Sequence, residues 1–96
     1  MQYNDNVVWR VGFTKKAAKQ ALRLKPSLRD SLKALVHELS AFGPVRGDWP
    51  NYSKLADGSH HCHLNYDHVA CWRVVEKEIK LLEVYYAGSR KDAPYD

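Results

Sequence analysis

The chain has little of the residues that define several classes of small protein. Its 96 residues include two cysteines, four prolines and five glycines. Two cysteines are too few for a disulfide scaffold or a cysteine zinc site, so we expect Cys62 and Cys71 to be free thiols in a reducing compartment. Repeats and low-complexity segments are also missing, and a chain of this length has room for one domain, residues 1–96.

Long apolar runs are missing from the chain as well. No stretch approaches the roughly 18 apolar residues of a membrane helix. The first six residues, MQYNDN, are polar and lack the positive-then-apolar order of a signal peptide. We therefore expect a soluble, cytoplasmic protein with no membrane partner.

Acidic side chains are scarce in the first half of the chain. The whole sequence has 15 Lys and Arg against 11 Asp and Glu, a net charge of +4, and an isoelectric point near 9.1. Residues 1–48 contain nine basic and four acidic side chains, whereas residues 49–96 contain six and seven. A basic surface in the first half favours a nucleic acid or an acidic protein as partner.

The first half has the patterns of a strand and two helices. Apolar residues alternate with other residues over about 6–13, which is the period of a strand with one buried face. Thr14 can cap a helix whose outer face is basic, and that helix is predicted to stop at Pro26. Ser27 begins a capping-box pattern for a second helix, which is predicted to end at Gly43.

The second half has the patterns of a loop and three strands. Residues 43–51 contain two Gly and two Pro, which predict an ordered loop with Arg46 and Trp49 exposed. Short connections between the β-prone runs imply antiparallel hairpins, so we expect fold class α+β: an N-terminal strand, two packed helices and a three- to four-stranded antiparallel sheet, in the order β-α-α-β-β-β. The three runs cover about residues 52–64, 68–76 and 79–87.

The first predicted hairpin has a turn that fixes which residues pair. If the chain turns between Tyr66 and Asp67, residues whose numbers sum to 133 face each other. That register puts Cys62 opposite Cys71. A disulfide between them would need strained geometry, so the register also favours free thiols.

The densest cluster of ligand-capable side chains is His60, His61, Cys62, His63 and His68. Strand alternation sends His61 and His63 to one face and His60 and Cys62 to the other, and no carboxylate follows at metal-site spacing, so no metal is expected. A histidine can instead take a proton from a ribose 2′-hydroxyl or give one to a leaving 5′-oxygen. His63 is our candidate for that role; the alternative is a set of polar positions on the exposed face of a sheet.

Three more side chains have the chemistry of an RNA site. Arg90 follows the last strand, where its guanidinium can clamp a phosphate, and the alternative is a solvated arginine near the terminus. Tyr95 can stack on an extruded base or cap the core. Lys54 begins the run that leads to the histidines and would lie near the same end of the sheet, although a strand lysine is usually part of the surface.

The chain resembles a family of toxins through motifs in its second half. The segment HCHLNYDHVACWRV, followed by IKLLEVYYAGSRKDAPY, is similar to the pattern of YafQ-like members of the RelE superfamily of bacterial and archaeal toxins, and the resemblance covers about residues 6–95. In these toxins the histidine of the Cys-His pair and the aspartate four residues later are functional, which implies roles for His63 and Asp67. A basic residue two positions beyond the last glycine and an aromatic near the C-terminus correspond to Arg90 and Tyr95.

The resemblance is incomplete in two places. RelE has a lysine before a leucine at the start of the second strand, as in Lys54-Leu55, but the arginine that follows there is Ala56 here. A histidine that YafQ-like toxins carry in the loop after the second helix has no counterpart, and Arg46 is the candidate substitute. The candidate catalytic residues are His63, Arg90, Asp67 and Lys54, and the candidate substrate-binding residues are Tyr95, Arg46, His61 and Lys91.

The resemblance implies the toxin of a type II toxin–antitoxin system. Such a toxin enters the ribosomal decoding site and cuts mRNA without metal or cofactor until a cognate antitoxin wraps it. His63 would act as general base or acid, while Arg90 and Lys54 would stabilise the developing charge. Asp67 would orient His63 or contact the substrate, and Tyr95 would hold a base. The implied partners are the antitoxin, mRNA and the ribosome, with operator DNA reached through the antitoxin.

Two other functions stay open at this point. One is a ParE-like toxin of the same fold that inhibits a protein target such as DNA gyrase through its surface. The other is an interaction domain for antitoxin docking and DNA autoregulation, with a decayed active site.

Overall fold

A computed structural model describes residues 9–95 of the chain. Its elements are β1 (Arg10–Phe13), α1 (Lys15–Arg23), α2 (Pro26–Phe42), β2 (Ser53–Lys54), β3 (His60–His63), β4 (His68–Glu76), β5 (Leu81–Ser89) and a 3₁₀ helix (Arg90–Asp92). The strands form one sheet in the order β1-β5-β4-β3-β2. β1 is parallel to β5, and the other neighbours are antiparallel. The predicted α+β class and element order are confirmed: the four strands β2 to β5 form the predicted antiparallel sheet, and the N-terminal strand β1 joins it as a parallel fifth strand.

The boundaries of the helices follow from local chemistry. Thr14 caps α1 by accepting a backbone N–H from the first turn at 3.0 Å, as predicted. α2 begins at Pro26, whose fixed φ and missing N–H suit the first helical position, so the predicted capping box at Ser27 is wrong. Gly43 ends α2 at φ +93°, and a Cβ there would lie 2.8 Å from Nε1 of Trp9.

Within residues 9–95, no helix is long and apolar enough to cross a membrane.

The two helices cover one side of the sheet, which we call the helix face; the opposite side is the open face. The core lies between the helices and the sheet. Trp72 of β4 is fully buried there, and its Nε1–H donates to the carbonyl oxygen of Pro44 at 2.9 Å, so its polar atom is satisfied. One leucine stripe of α2 points into this core: Leu28, Leu32, Leu35 and Leu39.

The hairpin between β3 and β4 differs from the predicted register by one residue. Cys62 pairs with Ala70, and Cys71 pairs with His61. The shift arises because the turn has three residues rather than two: the side chain of Asn65 accepts two backbone N–H groups across it, each at 2.8 Å. The predicted pairing of the cysteines is therefore wrong. Cys62 lies in the helix-face core and Cys71 in a smaller open-face cluster, and burial raises the pKa of each thiol to about 12.

Two further details of the strands differ from the prediction. The run predicted over residues 52–64 is two strands, because a turn at Gly58, with φ +88°, separates β2 from β3. In β5 a bulge at Tyr85 leaves that residue without a partner between the pairs made by Val84 and Tyr86. Residues 6–8 of the first predicted strand lie outside the described residues.

Candidate functional site

Histidine and tyrosine side chains gather on the open face beside β3. The ring centroids of His61 and His63 are 5.8 Å apart. Tyr95 returns to this face after the 3₁₀ helix, and its ring centroid is 4.5 Å from that of His61. His60 stacks on Trp72 inside the helix-face core instead, with ring centroids 5.9 Å apart. The predicted separation of neighbouring histidines onto two faces is therefore confirmed.

His61 is held in place by its neighbours. Its Nδ1 is 3.0 Å from Oγ of Ser53, the residue that pairs with it on β2. Burial lowers the pKa of His61, and a backbone hydrogen bond with Ser53 offsets part of this effect. Burial thus favours the neutral form of the ring that packs against Tyr95.

His63 is the last residue of β3 and borders a cavity. Its backbone N–H donates to the carbonyl oxygen of Pro50 at 2.8 Å, which ties the end of the strand to the loop before β2. His63 is 9% exposed, and no side chain among residues 9–95 hydrogen bonds to its ring. The cavity has a volume of about 320 Å³ and is lined by Pro50, Asn51, His63, Asn65, Tyr66 and Arg90.

Arg90 lines the same cavity as His63 and is exposed. Its backbone N–H donates to the carbonyl oxygen of Asp67 at 2.7 Å, which fixes the start of the 3₁₀ helix against the β3–β4 turn. Its guanidinium carbon is 5.3 Å from the ring centroid of Tyr66, within cation–π distance. The fold thus brings together an imidazole and a guanidinium, which suit proton transfer and phosphate binding respectively.

Asp67 and Lys91 lie beside Arg90 rather than beside His63. Together with Ser89 and Arg90 they line a second open depression of about 590 Å³. Within the described residues, the carboxylate of Asp67 makes no hydrogen bond to His63. The geometry therefore gives no support to an orienting role for Asp67, and contact with a substrate stays a prediction.

Two candidate residues lie apart from this cluster. Lys54 pairs with His60, and directly paired residues share a face, so Lys54 is on the helix-face side of the sheet. Arg46 has a side chain only 14% exposed and forms a salt bridge with Glu38 at 3.2 Å. The predicted exposure of Arg46 and Trp49 is wrong, because both donate to the Glu38 carboxylate, which holds their loop against α2.

Tyr66 and Asn51 line the cavity but were not expected from the sequence. The signal for Tyr66 is an aromatic side chain in the middle of a polar turn, where it is 78% exposed. Asn51 has a positive φ of 54°, which no pattern in the sequence indicates.

The histidines do not form a metal site with other residues of the described range. Among residues 9–95, no group of three His, Cys, Asp or Glu side chains has the proximity that a metal ion needs. That the chemistry needs neither metal nor cofactor stays a prediction, which rests on the resemblance.

No protein-family model matches the chain, and no curated protein matches it. Several solved toxins are similar in structure. A chain of the archaeal RelE–RelB complex from Pyrococcus horikoshii has a TM-score of 0.70 at 15% identity, over 90% of this chain and 99% of that one. The YoeB/ParE toxin from Agrobacterium tumefaciens has a TM-score of 0.70 at 13% identity, over 84% of this chain and 98% of that one. A chain of the DinJ–YafQ toxin–antitoxin complex from E. coli has a TM-score of 0.68 at 16% identity, over 88% of this chain and 96% of that one.

The chain therefore has the α+β architecture of a class of small toxins. It shares its fold with these RelE, YafQ and YoeB/ParE chains, and the resemblance seen in the sequence is confirmed at the level of the fold.

Proposed function

We propose that the chain is the toxin of a type II toxin–antitoxin system, a ribosome-dependent mRNA endonuclease that inhibits translation in the cytoplasm. The observation that carries this proposal is the cavity shared by His63 and Arg90. The fold adds to it, since a solved complex of this fold is named a toxin–antitoxin complex. Neither metal nor cofactor is required by the reaction that these residues suit.

His63 is proposed to carry out one of the two proton transfers of RNA cleavage. In this reaction the ribose 2′-oxygen attacks the neighbouring phosphorus and the bond from phosphorus to the 5′-oxygen breaks. The 2′-hydroxyl proton passes to a base, and an acid gives a proton to the departing 5′-oxygen. The products are a 2′,3′-cyclic phosphate and a 5′-hydroxyl. An imidazole with free ring nitrogens at the edge of a cavity can reach either oxygen of a bound phosphodiester.

Arg90 is proposed to stabilise the negative charge that develops on the phosphate during this attack. Its guanidinium offers several donors in one plane, and the ring of Tyr66 beside it limits where that plane can lie. Lys91 adds a second exposed cation at the same end of the sheet. Tyr95 is proposed to stack on a base, and contacts of Lys54 and Asp67 with the substrate stay predictions.

The proposed protein partner is an antitoxin with an acidic amphipathic helix. Between α1 and α2 runs an apolar groove with a volume of about 280 Å³. Its floor includes Phe13, Leu32 and Val36, and its rim carries Arg29 and Lys33, so it matches a helix with an apolar face and acidic flanks. Operator DNA would be reached through that partner.

A second candidate is a ParE-like toxin that acts on a protein such as DNA gyrase. The observation that favours it is the similarity to a chain named as a YoeB/ParE toxin. This function predicts intact mRNA and inhibited supercoiling when the purified protein is added to each assay.

The proposed nuclease is tested with translating ribosomes and a reporter mRNA read by primer extension. The wild-type protein should produce codon-positioned breaks. His63→Ala should reduce their rate by about 10²–10⁴-fold, because one proton transfer is lost. Arg90→Ala should reduce it by about 10²–10³-fold, the usual effect of removing a charge-stabilising donor.

The matched control is His37→Ala, which removes an exposed histidine of α2 far from the cavity. It should cut at the wild-type rate. Wild-type cleavage by folded His63→Ala and Arg90→Ala proteins would exclude the assigned site.

A further inference from the structure

A second pocket on the open face adjoins the candidate site. It has a volume of about 220 Å³ and is lined by Leu55, Ala56, Asp57, Pro94 and Tyr95. Tyr95 forms part of its wall and also packs on His61, whose ring is next to that of His63. A group bound in this pocket would therefore be a close neighbour of a phosphate bound at His63.

The two carboxylate oxygens of Asp57 differ in their hydrogen bonds. Oδ1 accepts the backbone N–H and the hydroxyl of Ser59, at 2.9 and 2.6 Å. Ser59 is itself buried and lies 2.7 Å from the hydroxyl of Tyr85, so this arrangement is fixed by the sheet. The hydrogen bonds from Ser59 lower the pKa of the Asp57 carboxyl, which is ionised at neutral pH. Among residues 9–95, Oδ2 has no hydrogen-bond partner.

The walls of the pocket suit a flat ring that carries a hydrogen-bond donor. Leu55, Ala56 and Pro94 offer apolar surface, and Tyr95 offers an aromatic platform. A nucleobase extruded from a single strand is recognised by this combination of stacking and one or two polar contacts at its edge. The negative charge of Asp57 disfavours a phosphate or a carboxylate in the same place, so the pocket is matched to a base rather than to the backbone.

We propose that this pocket binds a base next to the cleaved phosphate and that Asp57 selects bases with an exocyclic amino group. Oδ2 accepts a hydrogen bond from the amino group of cytosine, adenine or guanine. Uracil presents a carbonyl oxygen where cytosine presents that group, and two acceptors form no hydrogen bond with each other, so the contact with Oδ2 is lost. Asp57 is thus a specificity-determining residue, an assignment that rests on the proposed nuclease function.

Asp57→Asn replaces one hydrogen-bond acceptor, Oδ2, with a donor and should change the fold little. The amide keeps one oxygen for the two hydrogen bonds from Ser59 and places an N–H donor where Oδ2 was. In the ribosome assay the wild-type protein should avoid sites with uracil in the pocket position. The variant should raise the share of breaks at uracil sites about tenfold, the size of one good base contact. Asp30→Asn, which removes the same charge from the surface of α2, should leave the base profile unchanged.

A second measurement separates this inference from the nuclease function itself. Two short labelled RNAs that differ only by cytosine or uracil at one position are titrated with catalytically inactive His63→Ala protein. We expect the cytosine RNA to bind about tenfold more tightly, and this preference to disappear when Asp57→Asn is added. If wild-type protein fails to cut mRNA but this preference holds, the nuclease function is lost and the pocket assignment stands. Equal binding of the two RNAs, or an unchanged base profile in folded Asp57→Asn protein, would overturn the assignment.

Discussion

The two faces of the sheet give the first and last histidines of one strand different surroundings. His60 and His63, both on β3, are at most 9% exposed. His60 is enclosed by aromatic partners: it stacks on Trp72, and its Nδ1 is 2.7 Å from the hydroxyl of Tyr52. His63 has no side-chain hydrogen bond within the described residues and borders an open cavity. Burial alone therefore does not distinguish these two histidines, whereas the nature of their partners does.

The largest effect expected from this comparison is on the helix face. Leu35 is fully buried between α2 and the sheet, so Leu35→Ala should reduce the free energy of unfolding by about 2–5 kcal/mol through lost burial and a residual cavity. Urea unfolding measures this value. Leu22→Ala, at a position 74% exposed, is the matched control and should change it by less than about 0.5 kcal/mol. Equal losses in the two variants would mean that the helices do not form the core described.

A smaller effect is expected where α1 begins. Thr14→Ala removes the side-chain oxygen that accepts a backbone N–H in the first turn, and this should cost about 1 kcal/mol of unfolding free energy. Thr14→Ser keeps that oxygen and should cost only a few tenths of that amount. The same urea titration measures both variants. If Ser and Ala are equally destabilising, the capping hydrogen bond is not the source of the effect.

The smallest expected effect comes from acid, and it involves one histidine on each face. Burial lowers the pKa of both His60 and His61 below the ordinary value of 6.5. As pH falls through 6.5, the unfolded chain takes up protons that the folded chain does not, so stability is full above this pH and declines below it. His61→Asn should flatten the dependence of the urea midpoint on pH. A midpoint that rises on acidification would contradict the assigned shifts.

The fold was largely predictable because its signals are local. Alternation in β1, the cap at Thr14 and the leucine stripe of α2 each depend on residues close together in the chain. The register of the β3–β4 hairpin was not predicted correctly, because it depends on a three-residue turn that the side chain of Asn65 stabilises. The parallel pairing of β1 with β5 joins the two ends of the fold and leaves no local pattern.

The candidate site was only partly predictable for the same reason. The alternation rule placed His61 and His63 together, since a strand sends every second residue to one face. It could not place Arg46, because the partner that buries it, Glu38, comes from α2. It also could not place Lys54 beside His60 rather than beside His63, because a turn interrupts the strand between them. Contacts between distant segments decide which polar residues meet.

The most direct test of the two-face account compares the same substitution at His60 and at His63. Both proteins, His60→Gln and His63→Gln, are measured for urea unfolding and for mRNA cleavage on translating ribosomes. We expect His63→Gln to lose about 10²–10⁴-fold of the cleavage rate while remaining nearly as stable as the wild type. We expect His60→Gln to be less stable but to cut at the wild-type rate wherever it is folded. Wild-type cleavage by His63→Gln, or an equal loss of cleavage in both folded proteins, would contradict the account.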